Sequence, residues 1–329
     1  RYEVHTKSTD FRAATRLVED AELPVAKPGF VVVKNHYVGI NATDINVTNG
    51  MYTGPLPPPF GCGLDAVGVV VATGEGVENV KVGTAVAYRK IGAFAEYVDV
   101  DATHVIPVPE ASKDVLPLLV CGTSASLALE IVGEMKSGET VLVTAAAGGT
   151  GQFVVQLAKL AGNHVIGTTS SDEKAEVLKS LGVDRVINYN KENAAEVLKN
   201  EYPKGVDLVF ETIGGDMFKT AVQNIALHGR VIVFGFISNY ADGGAQDKLE
   251  WKEIAPILLG RSASVRGFIS GNHRDQYAEH FKKLMTLIMQ GKLKPGVDTK
   301  EFQGLEQIPL ALDYMYERKN IGKLVVKLA

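Results

Sequence analysis

The sequence predicts an α/β chain in which a doubly wound parallel-sheet domain follows a smaller β-rich domain of barrel type. Three observations carry the prediction. From about residue 140 to residue 270, short apolar runs alternate with helical patterns; a glycine-bearing turn opens that series; and the first 120 residues hold short strands punctuated by Gly and Pro.

In the first part, "GFVVVKNHYVGI", "LDAVGVVVATG", "VGTAVAY" and "GAFAEYVDV" read as strands. The boundary is expected near Gly122, where "PLLVCGTSASLALEIVG" forms a helix entering the second domain. Val141 to Thr144 then make a buried strand, and Gln152 to Leu160 place Phe153, Leu157 and Leu160 on one helical face. The turn between them matches the dinucleotide pattern G-x-G-x-x-G at Gly148 and Gly151, but Ala146 stands at the first glycine, so the tight turn must tolerate a methyl group. Such a turn is weak evidence alone. Its context strengthens it: "NHVIGTTSS", "DRVINY", "VDLVFETIGG" and "GRVIVFGFIS" read as further strands, "DEKAEVLKSLG" as a helix ended by Gly182, and "SASVRGFIS" as the sixth strand. "DQYAEHFKKLMTLIMQG" reads as an amphipathic helix, and "GKLVVKL" as a strand returning to the first domain. The expected division is therefore residues 1–122 with 272–329, and residues 123–271.

Composition narrows the function. With 329 residues, 46% of them hydrophobic, the chain is long enough for two substantial cores, and a net charge of −4 lacks the basic excess that nucleic acid requires. No apolar run is expected to reach the roughly 20 residues of a membrane span, and the opening "RYEVHTKSTDFRAA" has no signal-peptide core. Two cysteines, Cys62 and Cys121, give no disulfide framework and suit a reducing, cytoplasmic location.

The order of "GINATDINVTNGMY", "FGCGLDAVGVVVATG", "GAFAEYV", "TAAAGGTGQ", "SSDEKAEVLKSLGVDRVINY", "GRVIVFGFIS" and "NIGKLVV" resembles the medium-chain dehydrogenase/reductase superfamily over nearly the whole chain. Within it, "SSDEK", "INY", "GFISNY" and "YERKNIGK" look most like the zinc-free quinone oxidoreductase and enone reductase group, closest to the prostaglandin reductase-3 branch. The resemblance implies a Rossmann domain that binds a nicotinamide cofactor and a GroES-like barrel domain. It also allows a peroxisomal location by analogy, although no targeting signal is visible.

Zinc enzymes of this superfamily hold their metal with a thiolate and an imidazole. At the corresponding places this chain has Asn41-Ala42-Thr43-Asp44 and Gly63-Leu64-Asp65, and its seven histidines are scattered with none paired at i, i+4. "AYRKIGAFAEY" also runs straight through the place of the four-cysteine structural loop. No metal is expected; Cys62 reads as a buried thiol.

The choice of cofactor follows from charge. An NAD-selective fold ends its second strand with Asp or Glu, whereas this strand ends Thr168-Thr169-Ser170-Ser171, with Lys174 one helical turn on. Hydroxyls can donate to a 2′-phosphate and a lysine can neutralise it, so NADPH is the expected cofactor. Asp172 and Glu173 complicate this, but acids suit the first turn of the following helix. Gly148, Gly149, Thr150 and Gly151 would meet the pyrophosphate at a helix N-terminus. The resemblance assigns Tyr189 to the 2′-phosphate. It places Thr212, Gly235, Ile237 and Ser238 along the cofactor, and Phe268, Ile269, Ser270 and Asn320 around the nicotinamide. Asn41 and Thr123 would face the nicotinamide ribose.

An activated alkene needs little help from a protein, because its β-carbon already accepts hydride; a donor for the carbonyl oxygen and a proton source suffice. The resemblance assigns these tasks to Tyr52 and Tyr240, with water as a further source of the proton. Met51, Tyr52, "PLPPPF", Phe94, Ile269 and Trp251 suggest an apolar substrate, and Ile237–Trp251 reads as a lid. The expected activity is NADPH-dependent reduction of the C=C bond of α,β-unsaturated ketones and aldehydes, with 15-keto-prostaglandin-like compounds among the candidates. Quinone reduction is the alternative, and an NADPH-binding structural or regulatory protein without turnover is the rival of another class. A sixth strand at the sheet edge predicts a homodimer that pairs the two edges.

Overall fold

In the computed structural model, which describes residues 1–240 and 251–329, the chain divides into Arg1–Val120 with Gly296–Ala329, and Cys121–Pro295. The lid expected over Ile237–Trp251 falls largely on residues 241–250, outside the described residues.

The first unit is organised by one long strand. Phe30–Gly39 alternates its side chains so that Val31, Val33 and Val38 enter the core, and it pairs antiparallel with Asp65–Thr73, Tyr97–Asp101 and Val325–Lys327. Its register against Asp65–Thr73 shifts between Asn35 and Tyr37. At that irregularity the buried Asn35 carboxamide donates to the Ala93 and Ala95 carbonyls at 3.2 and 2.8 Å and accepts from the Tyr88 hydroxyl at 2.9 Å. The expected return of the C-terminal strand to this sheet is present as Val325–Lys327.

The second unit is a six-stranded parallel sheet. Its strands are β1 (Thr140–Val143), β2 (His164–Thr169), β3 (Arg185–Asn188), β4 (Val206–Glu211), β5 (Ile225–Val233) and β6 (Ser264–Gly267), in the spatial order β3-β2-β1-β4-β5-β6. Each strand read from the sequence is there; most are trimmed at their ends where turn residues take over, while β5 starts at Ile225, four residues before the expected Gly229. The helices are α1 (Thr123–Leu127), α2 (Gly149–Leu160), α3 (Asp172–Ser180), α4 (Ala194–Glu201), α5 (Gly215–Gln223), α6 (Trp251–Arg261) and α7 (Tyr277–Met289). Buried Leu142, Ile166, Val209 and Val231 from the sheet pack with Leu198, Val222 and Ile254 from the helices.

Two expectations change. The segment 272–295 belongs to the nucleotide unit, not to the barrel unit, because α7 buries His280, Phe281 and Leu284. His280 Nδ1 lies 2.7 Å from Ser126 Oγ of α1. Gln156 of α2 exchanges two hydrogen bonds with the backbone of Lys294, at 2.9 and 3.0 Å. The second change concerns the apolar run Lys113–Val132, which is long and apolar enough to cross a membrane by length and composition, contrary to expectation. It is 78% buried within the structure, and a helix enclosed by protein needs apolar residues on every side.

Gly68 sits opposite the irregular strand, and a Cβ there would overlap the Lys34 carbonyl oxygen and stand 2.9 Å from Asn35 Cα. Backbone cannot yield as a flexible side chain does. Gly68→Ala should therefore cost about 1–3 kcal/mol, read as a lower urea midpoint. Gly260→Ala, in the last turn of α6 with nothing within 4 Å, should raise the midpoint slightly.

Candidate nucleotide site

β1 and β4 are neighbours in space but lead to helices in opposite winding directions, so a crevice opens beyond their carboxyl ends. Thr144 and Glu211 stand on either side of it. The Thr144 hydroxyl oxygen receives the Thr212 N–H at 2.9 Å and lies 3.2 Å from the Thr212 hydroxyl. Glu211 is fully buried, and its carboxylate accepts the N–H of Ile213 at 2.8 Å and of Gly214 at 3.0 Å. Burial pushes this carboxyl up to about 7, opposed by those N–H groups and by Thr144. The result is a β4–α5 turn held rigidly at the crevice.

The phosphate-type turn follows β1. Ala146 donates its N–H to Thr168 at 3.1 Å. Its methyl group is tolerated because Gly167 of β2 has no side chain: a Cβ there would stand 3.0 Å from Ala146 Cβ. Gly151 is required sterically, since a Cβ would come within 2.5 and 2.6 Å of the Ala145 and Ala146 carbonyl oxygens. Gly148 caps α2 without a side-chain hydrogen bond, and Gly149, Thr150 and Gly151 form its first turn. An anion meets open N–H groups there.

At the end of β2, the buried Thr168 and Thr169 hydroxyls have no hydrogen-bond partner among the described residues. Buried polar atoms left this way suit a ligand that completes them. Ser171 caps α3 by accepting the Lys174 N–H at 3.3 Å, and the Ser170 carbonyl receives Asn190 Nδ2 at 2.6 Å. Asp172 does not compete for a phosphate position: Lys191 and Asn188 hold its carboxylate at 2.5 and 3.0 Å and keep it below the ordinary range. Lys174 is buried to 9% exposure in this same turn. Tyr189, whose N–H donates to Thr169 at 3.0 Å, borders a pocket of about 260 Å³ between the starts of α4 and α5, lined also by Asn193, Ala195, Asp216, Met217 and Thr220.

The loop after β5 is tied to the same crevice. Ile237 donates its N–H to Thr212 at 3.0 Å, and the Ser238 hydroxyl donates to Ile213 at 2.6 Å. Tyr240 is buried, edge-on to Phe236, and its hydroxyl lies 3.0 Å from the place of a Cβ on Gly235. The Phe268 ring is already committed to stacks with Phe234 and His273, at 5.3 and 5.5 Å between centroids, so Phe268 has only its backbone to offer a ligand. Ile269 is half-exposed and Ser270 follows it at the start of a short helical turn. Thr123 is buried at the first residue of α1.

Asn41, Tyr52 and Asn320 lie in the first unit. Asn41 belongs to a buried polar cluster with Asp44, Asp65 and Lys323. Asp44 accepts the Asn41 N–H at 2.8 Å, and burial drives its carboxyl well above the usual range, with Asp65 adding to the rise. Lys323 Nζ lies 3.2 Å from Asp65 Oδ2 and donates to Asn41 Oδ1 at 2.5 Å. Tyr52 is 39% exposed, in the loop that follows the short helix Asp44–Thr48, and Asn320 donates to Gly322 at 3.0 Å. Leu64 and Ala42 carry no donor atoms, and Asp65 is taken by an ammonium group, so these residues do not fit a divalent cation. Among the described residues no group of three or more His, Cys, Asp or Glu is placed to hold a metal.

Sequence reasoning missed Glu211 and Lys323. An acid closing a buried apolar strand was a usable signal for the first; Lys323 carries no local signal, because its partners are more than 250 residues away in sequence.

Comparison with known proteins agrees with this geometry. Residues 27–110 match the alcohol dehydrogenase GroES-like domain and residues 149–289 the zinc-binding dehydrogenase domain. Prostaglandin reductase-3 of Mus musculus is 47% identical over 328 residues, covering 98% of this chain and 87% of that protein. A probable quinone oxidoreductase of Leishmania amazonensis is 44% identical over 332 residues, covering 100% and 97%. Among solved structures, the Escherichia coli quinone oxidoreductase complexed with NADPH superposes with a TM-score of 0.84 at 26% identity over 99% of both chains. The parallel sheet with its open switch point, the barrel unit and these relationships together place the chain in the medium-chain dehydrogenase/reductase superfamily, as a member of its quinone oxidoreductase-like group.

Proposed function

We propose that the protein is a zinc-independent, NADPH-dependent reductase of the C=C bond of α,β-unsaturated ketones and aldehydes. The observation that carries the cofactor assignment is the end of β2, where a carboxylate would stand in an NAD-selective fold. Here the Thr168 and Thr169 hydroxyls, without a partner among the described residues, gather with Ser170, Ser171 and the buried Lys174 instead. Lys174 matches the charge of a 2′-phosphate, and the Asp172 carboxylate is drawn off by Lys191. The relationship to prostaglandin reductase-3 supports an enone as substrate.

NADPH, when bound, supplies the hydride. The first turn of α2 would hold the pyrophosphate, beside the turn that Glu211 braces with Thr212. Tyr52 and Tyr240 are the candidate hydroxyl donors for a carbonyl oxygen on which negative charge would develop, and Tyr240 also packs against Gly235. With no metal donors at Ala42 or Leu64, polarising an alcohol is beyond these residues, whereas an enone requires only such a hydrogen bond. Quinone reduction is the second reading, favoured by the relationship to the Leishmania protein. The proposed location is cytoplasmic, in keeping with Cys62 and Cys121 as reduced cysteines. The proposed assembly is a homodimer: β6 is the edge of the described sheet, with β5 on one side and a half-exposed Val265.

A screen of NADPH oxidation against enones, alkenals and quinones, with product analysis, tests the activity. Saturated ketones or aldehydes are the expected products; hydroquinones alone would select the second reading, and NADPH binding without oxidation of any substrate would select a non-catalytic role. Lys174→Ala should weaken NADPH by roughly one to two decades, about 1.5–3 kcal/mol, while NADH binding stays nearly unchanged. Equal loss for both cofactors would refute the 2′-phosphate assignment. Activity should survive dialysis against a strong chelator, and elemental analysis should find no stoichiometric zinc. Light scattering at micromolar concentration should give twice the chain mass, reduced by Val265→Pro; a monomer mass for the unaltered chain would sink the dimer.

A further inference from the structure

We propose that Lys191, on the loop after β3, is a specificity-determining residue for the cofactor: by cancelling the charge of Asp172, whose other carboxylate oxygen Asn188 holds, it makes an acid-bearing turn admit a 2′-phosphate. The inference rests on the reading above that the β2–α3 turn meets the 2′-phosphate of NADPH, and it concerns residues outside the set assigned to that phosphate.

Along the end of β2 the hydrogen-bond acceptors are engaged one after another. The Thr168 carbonyl receives the Ala146 N–H at 3.1 Å, the Thr169 carbonyl the Tyr189 N–H at 3.0 Å, and the Ser171 carbonyl the Ala175 N–H at 3.1 Å. Side chains of the loop after β3 engage three more. Asn190 Nδ2 donates to the Ser170 carbonyl at 2.6 Å, Asn188 Nδ2 to Asp172 Oδ1 at 3.0 Å, and Lys191 Nζ to Asp172 Oδ2 at 2.5 Å. What the turn offers a ligand is the hydroxyls of Thr168, Thr169, Ser170 and Ser171, which can donate, and the charge of Lys174.

The loop that supplies these donors is itself braced. Asn188 is 7% exposed; its Oδ1 accepts the Asn190 N–H at 3.2 Å, and its carbonyl accepts those of Lys191 and Glu192 at 2.8 and 2.9 Å. Lys191 and Asn188 hold the Asp172 carboxyl below the ordinary carboxylate range, so it stays ionised near neutral pH and only a counter-charge can cancel it. Left uncancelled, a carboxylate in this turn would repel a phosphate and accept from a ribose hydroxyl, as the acid of an NAD-selective fold does. Stability does not account for the pair. Its side chains are 62% and 68% exposed, and ion pairs so open to water contribute little to folding.

The test is a double-mutant cycle on the whole chain, with NADPH and NADH binding read by fluorescence titration at low ionic strength, where exposed charges are least screened. Lys191→Met should weaken NADPH about fivefold, with NADH unchanged or slightly tighter. Asp172→Asn should bind NADPH at least as well as the unaltered protein, and in its background Lys191→Met should cost nothing. A loss that persists in the Asp172→Asn background would mean that Lys191 acts on the phosphate directly, and equal losses for NADPH and NADH would mean that the pair serves only the fold. Either result overturns the proposal, as does a Lys191→Met variant that binds NADPH unchanged. An unaltered protein that binds NADPH no more tightly than NADH would overturn the 2′-phosphate reading and this inference with it; a clear preference for NADPH, with a cycle that shows no rescue by Asp172→Asn, would overturn this inference alone.

Discussion

The nucleotide unit depends on a seam of hydrogen bonds between β1 and β4, the two neighbouring strands at which the winding of the chain reverses. A parallel sheet leaves the carboxyl ends of such strands without a covering connection. Polar groups at that place need partners from within the seam itself. Thr144 and Glu211 supply them: the threonine hydroxyl receives the Thr212 N–H, and the carboxylate receives those of Ile213 and Gly214. The carbonyls of Thr212 and Ile213 in turn hold Ile237 and Ser238. One buried acid thus fixes two successive loops that border the crevice.

The same unit shows how a departure from a motif can be structurally neutral. The first glycine of the dinucleotide turn is Ala146, and its methyl group needs space that a side chain on β2 would fill. Gly167 leaves that space empty. Gly151 has no such compensation available, because the atoms facing it are backbone carbonyls. The pattern is therefore kept where the backbone crowds and relaxed where a neighbouring side chain can be omitted.

In the barrel unit, a buried polar cluster is built around fixed organic charges. Lys323 and Asp65 both bind Asn41, while burial raises the Asp44 carboxyl well above its usual range. An ammonium and a carboxylate carry charge of both signs into this buried space. Between them they hold both ends of the Asn41 carboxamide by hydrogen bonds.

The sequence by itself determined the alternation of strands and helices, the glycine turn and the hydroxyl-rich end of β2. Each is written in contiguous residues whose periodicity or turn chemistry acts locally. It also determined the absence of donors at Ala42 and Leu64. Tertiary structure alone decided the membership of residues 272–295, since the amphipathic face of α7 shows that it must be buried but not against what; Ser126 and Gln156 supply the answer. It alone explained how Ala146 is tolerated, where the Asp172 carboxylate goes, and why the apolar run Lys113–Val132 is a buried segment. It alone brought Lys323 to Asn41, across 282 positions of sequence. A pairing of that kind leaves no periodic trace, because it is made by the closure of a sheet, and closure depends on every strand in the unit at once.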